Sequence, residues 1–180
     1  MAQKATVYKV DLDISDMDRS YYQSHHLTLA LHPSETESRM MLRVLAFALN
    51  AQEALQFTRG LSADDEPDIW LKDLTGAIDL WIEVGLPDER RLRKACGRAK
   101  QVLVYAYGDR AVSVWWSKSA REFARLDNLR VFSIDDASLA ALTALAGRGI
   151  HLSISIQDGD ISISNGTDNV PVTVRSLQLD

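Results

Sequence analysis

The stretch Asp65 to Gly85 alternates apolar and polar residues in two arms on either side of Thr75-Gly76, a pattern that reads as a β-hairpin. In the first arm Ile69 and Leu71 share one face while Asp68, Trp70 and Lys72 share the other. In the second, Leu80, Ile82 and Val84 alternate with Asp79, Trp81 and Glu83. The turn sets the register. With Thr75-Gly76 as a two-residue turn, Trp70 opposes Trp81, Lys72 opposes Asp79 and Asp68 opposes Glu83, the last pair with Cβ atoms about 5 Å apart. With Leu74 included in the turn, the two carboxylates fall on opposite faces. Opposed like charges destabilise a sheet, so a facing Asp68–Glu83 pair requires a metal ion, an arginine or a shared proton.

Pro67-Asp68, fourteen residues, and then Glu83-Val84-Gly85 resembles the PD-(D/E)xK nuclease motif. The runs His32-Pro-Ser-Glu-Thr-Glu-Ser-Arg-Met-Met41, Phe57-Thr-Arg-Gly-Leu61 and Arg93-Lys-Ala-Cys-Gly-Arg98 resemble the YaeQ family, small bacterial proteins with a variant of that nuclease fold, and the resemblance spans nearly the whole chain. It implies an α/β (α+β) fold: a restriction-endonuclease-like core with a mixed sheet flanked by helices, plus a C-terminal antiparallel β-extension. It also implies that Asp68 and Glu83 bind Mg²⁺ or Mn²⁺, with a carbonyl near Val84 as a further ligand. Gly85 stands where the motif has a lysine that positions or activates the attacking water. Nuclease folds of this kind often take another carboxylate from the first helix, which makes Glu35 a candidate metal ligand.

At 180 residues, 46% apolar and 25% charged, the chain suits one globular domain, residues 1–180, with a continuous core. A single cysteine, Cys96, excludes an intramolecular disulfide. The N-terminus has no apolar signal region, so the cytoplasm is the expected compartment. No stretch approaches the roughly 20 apolar residues of a membrane span. A net charge of −5 argues against generic polyanion binding, yet residues 88–100 carry a local +4. That cluster suits a phosphodiester beside an acidic metal site, or equally a solvated helix face.

Along the chain, residues 5–13 and 20–32 read as an antiparallel strand pair. Adjacent His25 and His26 point to opposite faces and cannot share a metal without a bulge. Ser34-Glu-Thr-Glu37 reads as a capping box opening a helix through Met41, Leu42, Leu45, Ala48 and Leu49. After the hairpin, Leu86-Pro87-Asp88 starts a helix with Leu92, Ala95, Cys96 and Ala99 on its apolar stripe, and 101–107 reads as a buried strand. Together with 78–85 these form a βαβ unit. Cys96 is read as packing. Residues 110–117 read as a strand, 117–126 as a helix, Val131 to Ile134 as a strand and Leu139 to Ala146 as a helix ended by Gly147. Strands at 150–156, 161–163 and 170–174 make a meander, either a second sheet or an extension of the first. The turn-rich segment Gly60 to Asp65 is too short for a domain linker.

Phosphodiester hydrolysis needs a Lewis acid, and Mg²⁺ takes a few carboxylates with water and phosphate filling its remaining positions. Asp68 and Glu83 supply the minimum. Lys94 is preferred over Lys100 as replacement for the missing lysine, although its place on the helical wheel turns it from the core. Arg90, Arg91 and Lys94 are candidate nucleic-acid contacts; a guanidinium binds phosphate but cannot act as a base. Trp70 and Trp81 either stack on bases or form a cross-strand pair beneath a helix. The expectation is a Mg²⁺-dependent nuclease acting on DNA or RNA. The alternative is a non-catalytic module, binding nucleic acid or protein, on the same scaffold.

Overall fold

The computed structural model describes residues 4–59 and 65–177, so most of the Gly60 to Asp65 connection lies outside the described residues. The chain forms two compact units, Met1–Ala48 with Ala137–Thr173, and Leu49–Asp136 with Val174–Asp180. Each is built around its own mixed sheet.

In the first unit, β1 (Thr6–Asp16) and β2 (Tyr21–Leu31) form the expected antiparallel pair. The C-terminal meander β8 (Gly149–Gln157), β9 (Asp160–Ser164) and β10 (Asn169–Val172) joins this sheet through a parallel β1–β8 pairing, in the order β10-β9-β8-β1-β2. The meander therefore extends the N-terminal hairpin. Alternation does the sorting: Val10, Leu12, Ile14, Leu152, Ile154 and Ile156 are buried, while the intervening residues are polar.

Helix α1 (Glu37–Asn50) is buried at every residue from Met40 to Ala48, more than a single apolar stripe gives. Its cap differs from the expected box. Thr36 Oγ1 accepts the Arg39 amide at 3.2 Å, Ser34 Oγ lies 2.7 Å from His32 Nδ1, and the Glu37 carboxylate accepts the Tyr8 hydroxyl at 3.3 Å. Threonine two residues further on takes the N-cap role in place of serine.

The second unit contains β3 (Gln56–Phe57), β4 (Ile69–Lys72), β5 (Ile78–Val84), β6 (Ala99–Tyr107), β7 (Leu129–Ile134) and β11 (Val174–Ser176), in the order β11-β7-β6-β5-β4-β3. Helix α2 (Glu89–Arg98) joins the parallel strands β5 and β6, as the sequence suggests. Helix α3 (Asp109–Phe123) makes a second crossover, to β7. Helix α4 (Asp136–Thr143) follows β7.

Helix α3 corrects the strand expected at 110–117. The run Ala111-Val-Ser-Val-Trp-Trp116 has β propensity, but parallel β6 and β7 need a long crossover between them. Helical spacing puts Val112, Ala120 and Phe123 inward. Trp115 and Trp116 pack with Phe123 against the cluster of Trp81, Leu92, Ala95, Val102, Val104 and Val131. Cys96 packs against the same cluster, and burial pushes its thiol up to about 11, far from the thiolate that reactivity requires.

Candidate active site

The hairpin register holds where the site lies and slips at its far end. Ile69, Trp70 and Leu71 oppose Ile82, Trp81 and Leu80 as expected, but Lys72 opposes Ile78 across a bulge. Asp73 causes the slip. Its Oδ1 accepts the Thr75 amide, the Thr75 hydroxyl and the Ala77 amide at 2.8, 2.6 and 3.0 Å, organising a turn longer than two residues. The expected Lys72–Asp79 pair is accordingly replaced. Lys72 Nζ sits 3.8 Å from the centre of the Trp70 ring, and Asp79 pairs with Lys100 at 2.7 Å.

Asp68 lies just before β4, its backbone held on both sides: its carbonyl accepts the Thr58 amide at 3.1 Å and its own amide donates to Ile82 O at 3.0 Å. Its Oδ2 accepts the Val84 amide at 2.8 Å. Asp68 thus brackets Glu83 along the β5 backbone, with main chain to one neighbour of Glu83 and side chain to the other. Both acids are buried, at 4% and 5% exposure.

Glu83 Oε1 accepts Trp81 Nε1 at 2.9 Å and Arg91 Nε at 2.8 Å. Burial raises its carboxyl above the ordinary value; Arg91 and the Trp81 hydrogen bond oppose the rise, and the charge on Asp68 adds to it. Arg91 is fixed from two directions, since its Nη2 also donates to Glu66 O at 2.8 Å. Asp88 caps α2 by accepting the Arg91 amide at 2.8 Å, which places Arg91 in the first turn of the helix, facing back toward β5.

The other candidates are dispersed. Lys94 is 62% exposed in its side chain and lies 3.4 Å from Asp65 Oδ1, so its observed partner is not one of the site acids. Arg98 donates to Asp65 O at 2.7 Å, and Arg93 pairs with Glu89. Arg90 is exposed and has no ion-pair partner among the described residues. Glu35, in the first unit, is buried between Arg39 at 3.0 Å and Arg43 at 2.9 Å. Trp81 is 3% exposed and meets Trp70 edge-on at 6.4 Å between ring centres, which makes it a cross-strand packing partner rather than a stacking platform. Gly85, two residues after Glu83, has φ +119°, a conformation that L side chains rarely adopt.

Sequence reasoning allowed an arginine as partner of the acids but named Arg91 only as a phosphate contact, and it did not foresee the indole hydrogen bond. Both had a signal: Trp81 shares the strand face of Glu83 two residues away, and Arg91 is the third residue after a capping aspartate on a helix that returns over the same strand.

The family profile described as YaeQ protein matches residues 1–174. This chain belongs to the YaeQ family. The chain is 48% identical to YaeQ of Salmonella typhi over 178 residues, covering 99% of this chain and 98% of that one, and equally similar to YaeQ of Escherichia coli K12. The crystal structure of YaeQ protein from Xanthomonas axonopodis pv. citri superimposes with a TM-score of 0.93 at 49% identity, covering 98% of this chain and 99% of that one. YaeQ protein from Pseudomonas syringae gives 0.92 at 35% identity, covering 98% and 97%. No helix among the described residues is long and apolar enough to cross a membrane.

Proposed function

We propose that this member of the family uses Asp68 and Glu83 to hold a divalent cation, Mg²⁺ or Mn²⁺, and cleaves phosphodiester bonds in DNA or RNA, on a variant of the PD-(D/E)xK nuclease core. The observation that carries the reading is the buried pair itself. Asp68 lies against β5 on both sides of Glu83, and its charge adds to the raised carboxyl of Glu83. Two hard oxygen donors with positions left for water and phosphate fit Mg²⁺ or Mn²⁺. Among the described residues no third acid, histidine or cysteine converges on them, so the remaining positions fall to water, substrate and main-chain carbonyls. When bound, the ion supplies Lewis-acid stabilisation and a more acidic water.

The chain's own residues supply orientation and charge. Val84 N–H and Trp81 Nε1 hold the two carboxylates in place. Arg91, on Glu83 here, is a permanent cation suited to a phosphate oxygen once a metal takes over its place at the carboxylate. In this reading Arg91 replaces the motif lysine in its electrostatic role, and Lys94 does not.

A second reading has its own support: Glu83 already rests on an arginine, and Gly85 supplies no lysine. On that reading the protein is a non-catalytic nucleic-acid- or protein-binding module. A calorimetric Mn²⁺ titration of the wild type beside Asp68→Ala and Glu83→Ala separates the two. Specific binding in the wild type that both variants lose, with both still folded, supports the metal site and leads to cleavage assays on DNA and RNA. No binding to the wild type, or full affinity in either variant, overturns it.

A further inference from the structure

The basic cluster legible in the sequence at 88–100 is largely engaged inside the second unit. Arg91 is on Glu83, Arg93 on Glu89, Lys94 on Asp65, Arg98 on Asp65 O and stacked over Trp81, and Lys100 on Asp79. Besides Arg90, cations without an ion-pair partner among the described residues gather on α3, as Arg110, Lys118 and Arg121. At about 100° per residue, Arg110, Val114, Lys118 and Arg121 fall within about 80° of the wheel, and Arg110 and Lys118 stand about 12 Å apart along the axis. This face is opposite Val112, Ala120 and Phe123, which are buried.

Between the two cations, Val114 is 51% exposed. A shallow hollow of about 590 Å³ is lined by Arg110, Ala111, Val114, Trp115 and Lys118. The hollow sets a small apolar surface, Val114 and the edge of Trp115, between cations, a combination that suits a ligand with both charged and apolar parts. The hollow is also tied to the candidate active site: Trp115 Nε1 donates to Pro87 O at 2.9 Å, on the short turn between Glu83 and the Arg91 helix.

We propose that this outer face of α3 is a docking ridge for a single-stranded nucleic acid, with Arg110, Lys118 and Arg121 on successive phosphates and the Val114–Trp115 surface against sugar and base. The proposal rests on the phosphodiester reading of the Asp68–Glu83 site and names the substrate form that site takes. Unpaired cations complement a phosphate backbone, and apolar surface between them accepts unstacked bases, which a duplex does not offer.

Fluorescence anisotropy with a labelled oligothymidylate in EDTA tests the ridge without any metal or cleavage. The wild type is expected to bind the oligonucleotide. The double variant Arg110→Glu/Lys118→Glu, both changes on exposed side chains, is expected to bind about tenfold more weakly or worse, and the slope of log K against log salt is expected to flatten by about 1.4, at about 0.7 per phosphate contact. Circular dichroism confirms that the variant is folded. Unchanged affinity and salt slope in the double variant, or no binding by the wild type, overturns the ridge. So does wild-type binding to polyglutamate as tight as to the oligonucleotide, which would make the partner an acidic protein. None of these outcomes affects the metal titration, so failure of the ridge and failure of the metal site are told apart.

Discussion

Two buried glutamates in this protein solve the same problem differently. Glu35 in the first unit is held by two guanidinium groups, Arg39 and Arg43, and Arg43 also donates to Ala30 O. Among the described residues, Glu83 in the second unit has a single arginine and an indole, with a second carboxylate beside it. Burying a charge is costly unless it is paired and hydrogen-bonded. Glu35 has cations in excess, whereas Glu83 shares its surroundings with more negative charge. The first arrangement closes on itself as an element of stability. On the proposed reading the second takes a metal ion in addition, as a site rather than a strut would.

The contrast can be broken by mutation. Replacing Arg43 with methionine leaves Glu35 short of a buried partner and is expected to cost about 3–5 kcal/mol of stability, measured by urea denaturation. Glu83→Gln is expected to cost much less, because it removes a repulsive charge together with an attractive one; equal losses in the two variants would erase the distinction. Next in size is Gly85→Ala. A Cβ there meets no atom within 4 Å, so the whole penalty comes from φ +119° and is expected to be about 1–3 kcal/mol. Gly85→Lys is expected to show the same loss and no gain in cleavage, whereas a gain would restore the motif lysine to the mechanism.

Thr36→Ala is expected to cost about 1 kcal/mol as a lost N-cap, and Ser34→Ala less; thermal melts rank the two. The reverse order would return the cap to Ser34.

The smallest effect is in pH. The carboxyl of Glu83 is raised in the folded state above its ordinary 4.5, so between the two values the folded protein binds more protons than the unfolded chain. The contribution is fully present below the unfolded value and is lost as pH rises through the folded one. Wild-type stability relative to Glu83→Gln is therefore expected to fall across that window, and Mn²⁺ affinity to rise across it as the carboxylate forms. Parallel melting curves for the two proteins at every pH would remove Glu83 as the titrating group.

Much of this architecture was readable beforehand because it is local. The Ile69–Ile82, Trp70–Trp81 and Leu71–Leu80 rungs, the β5–α2–β6 crossover with its helix starting after Leu86-Pro87, and the C-terminal meander all follow from alternation, turn residues and helix-start signals. The errors have equally local causes. Asp73 recruited Thr75 and Ala77 into a wider turn and moved Lys72 away from Asp79. The strand expected at 110–117 became a helix because β-branched and aromatic propensity is a weak preference, which the crossover between parallel strands overrides.

The sequence by itself determined that Asp68 and Glu83 flank a hairpin and that positive charge concentrates after it, since both depend only on residue order and the two-residue period of a strand. Tertiary structure alone decided which cations stay unpaired and which carboxylate has one arginine rather than two. Ion pairing depends on distances between residues far apart in the chain: Lys94 meets Asp65, Arg91 meets Glu83 and Lys100 meets Asp79 only after the strands and helices have packed.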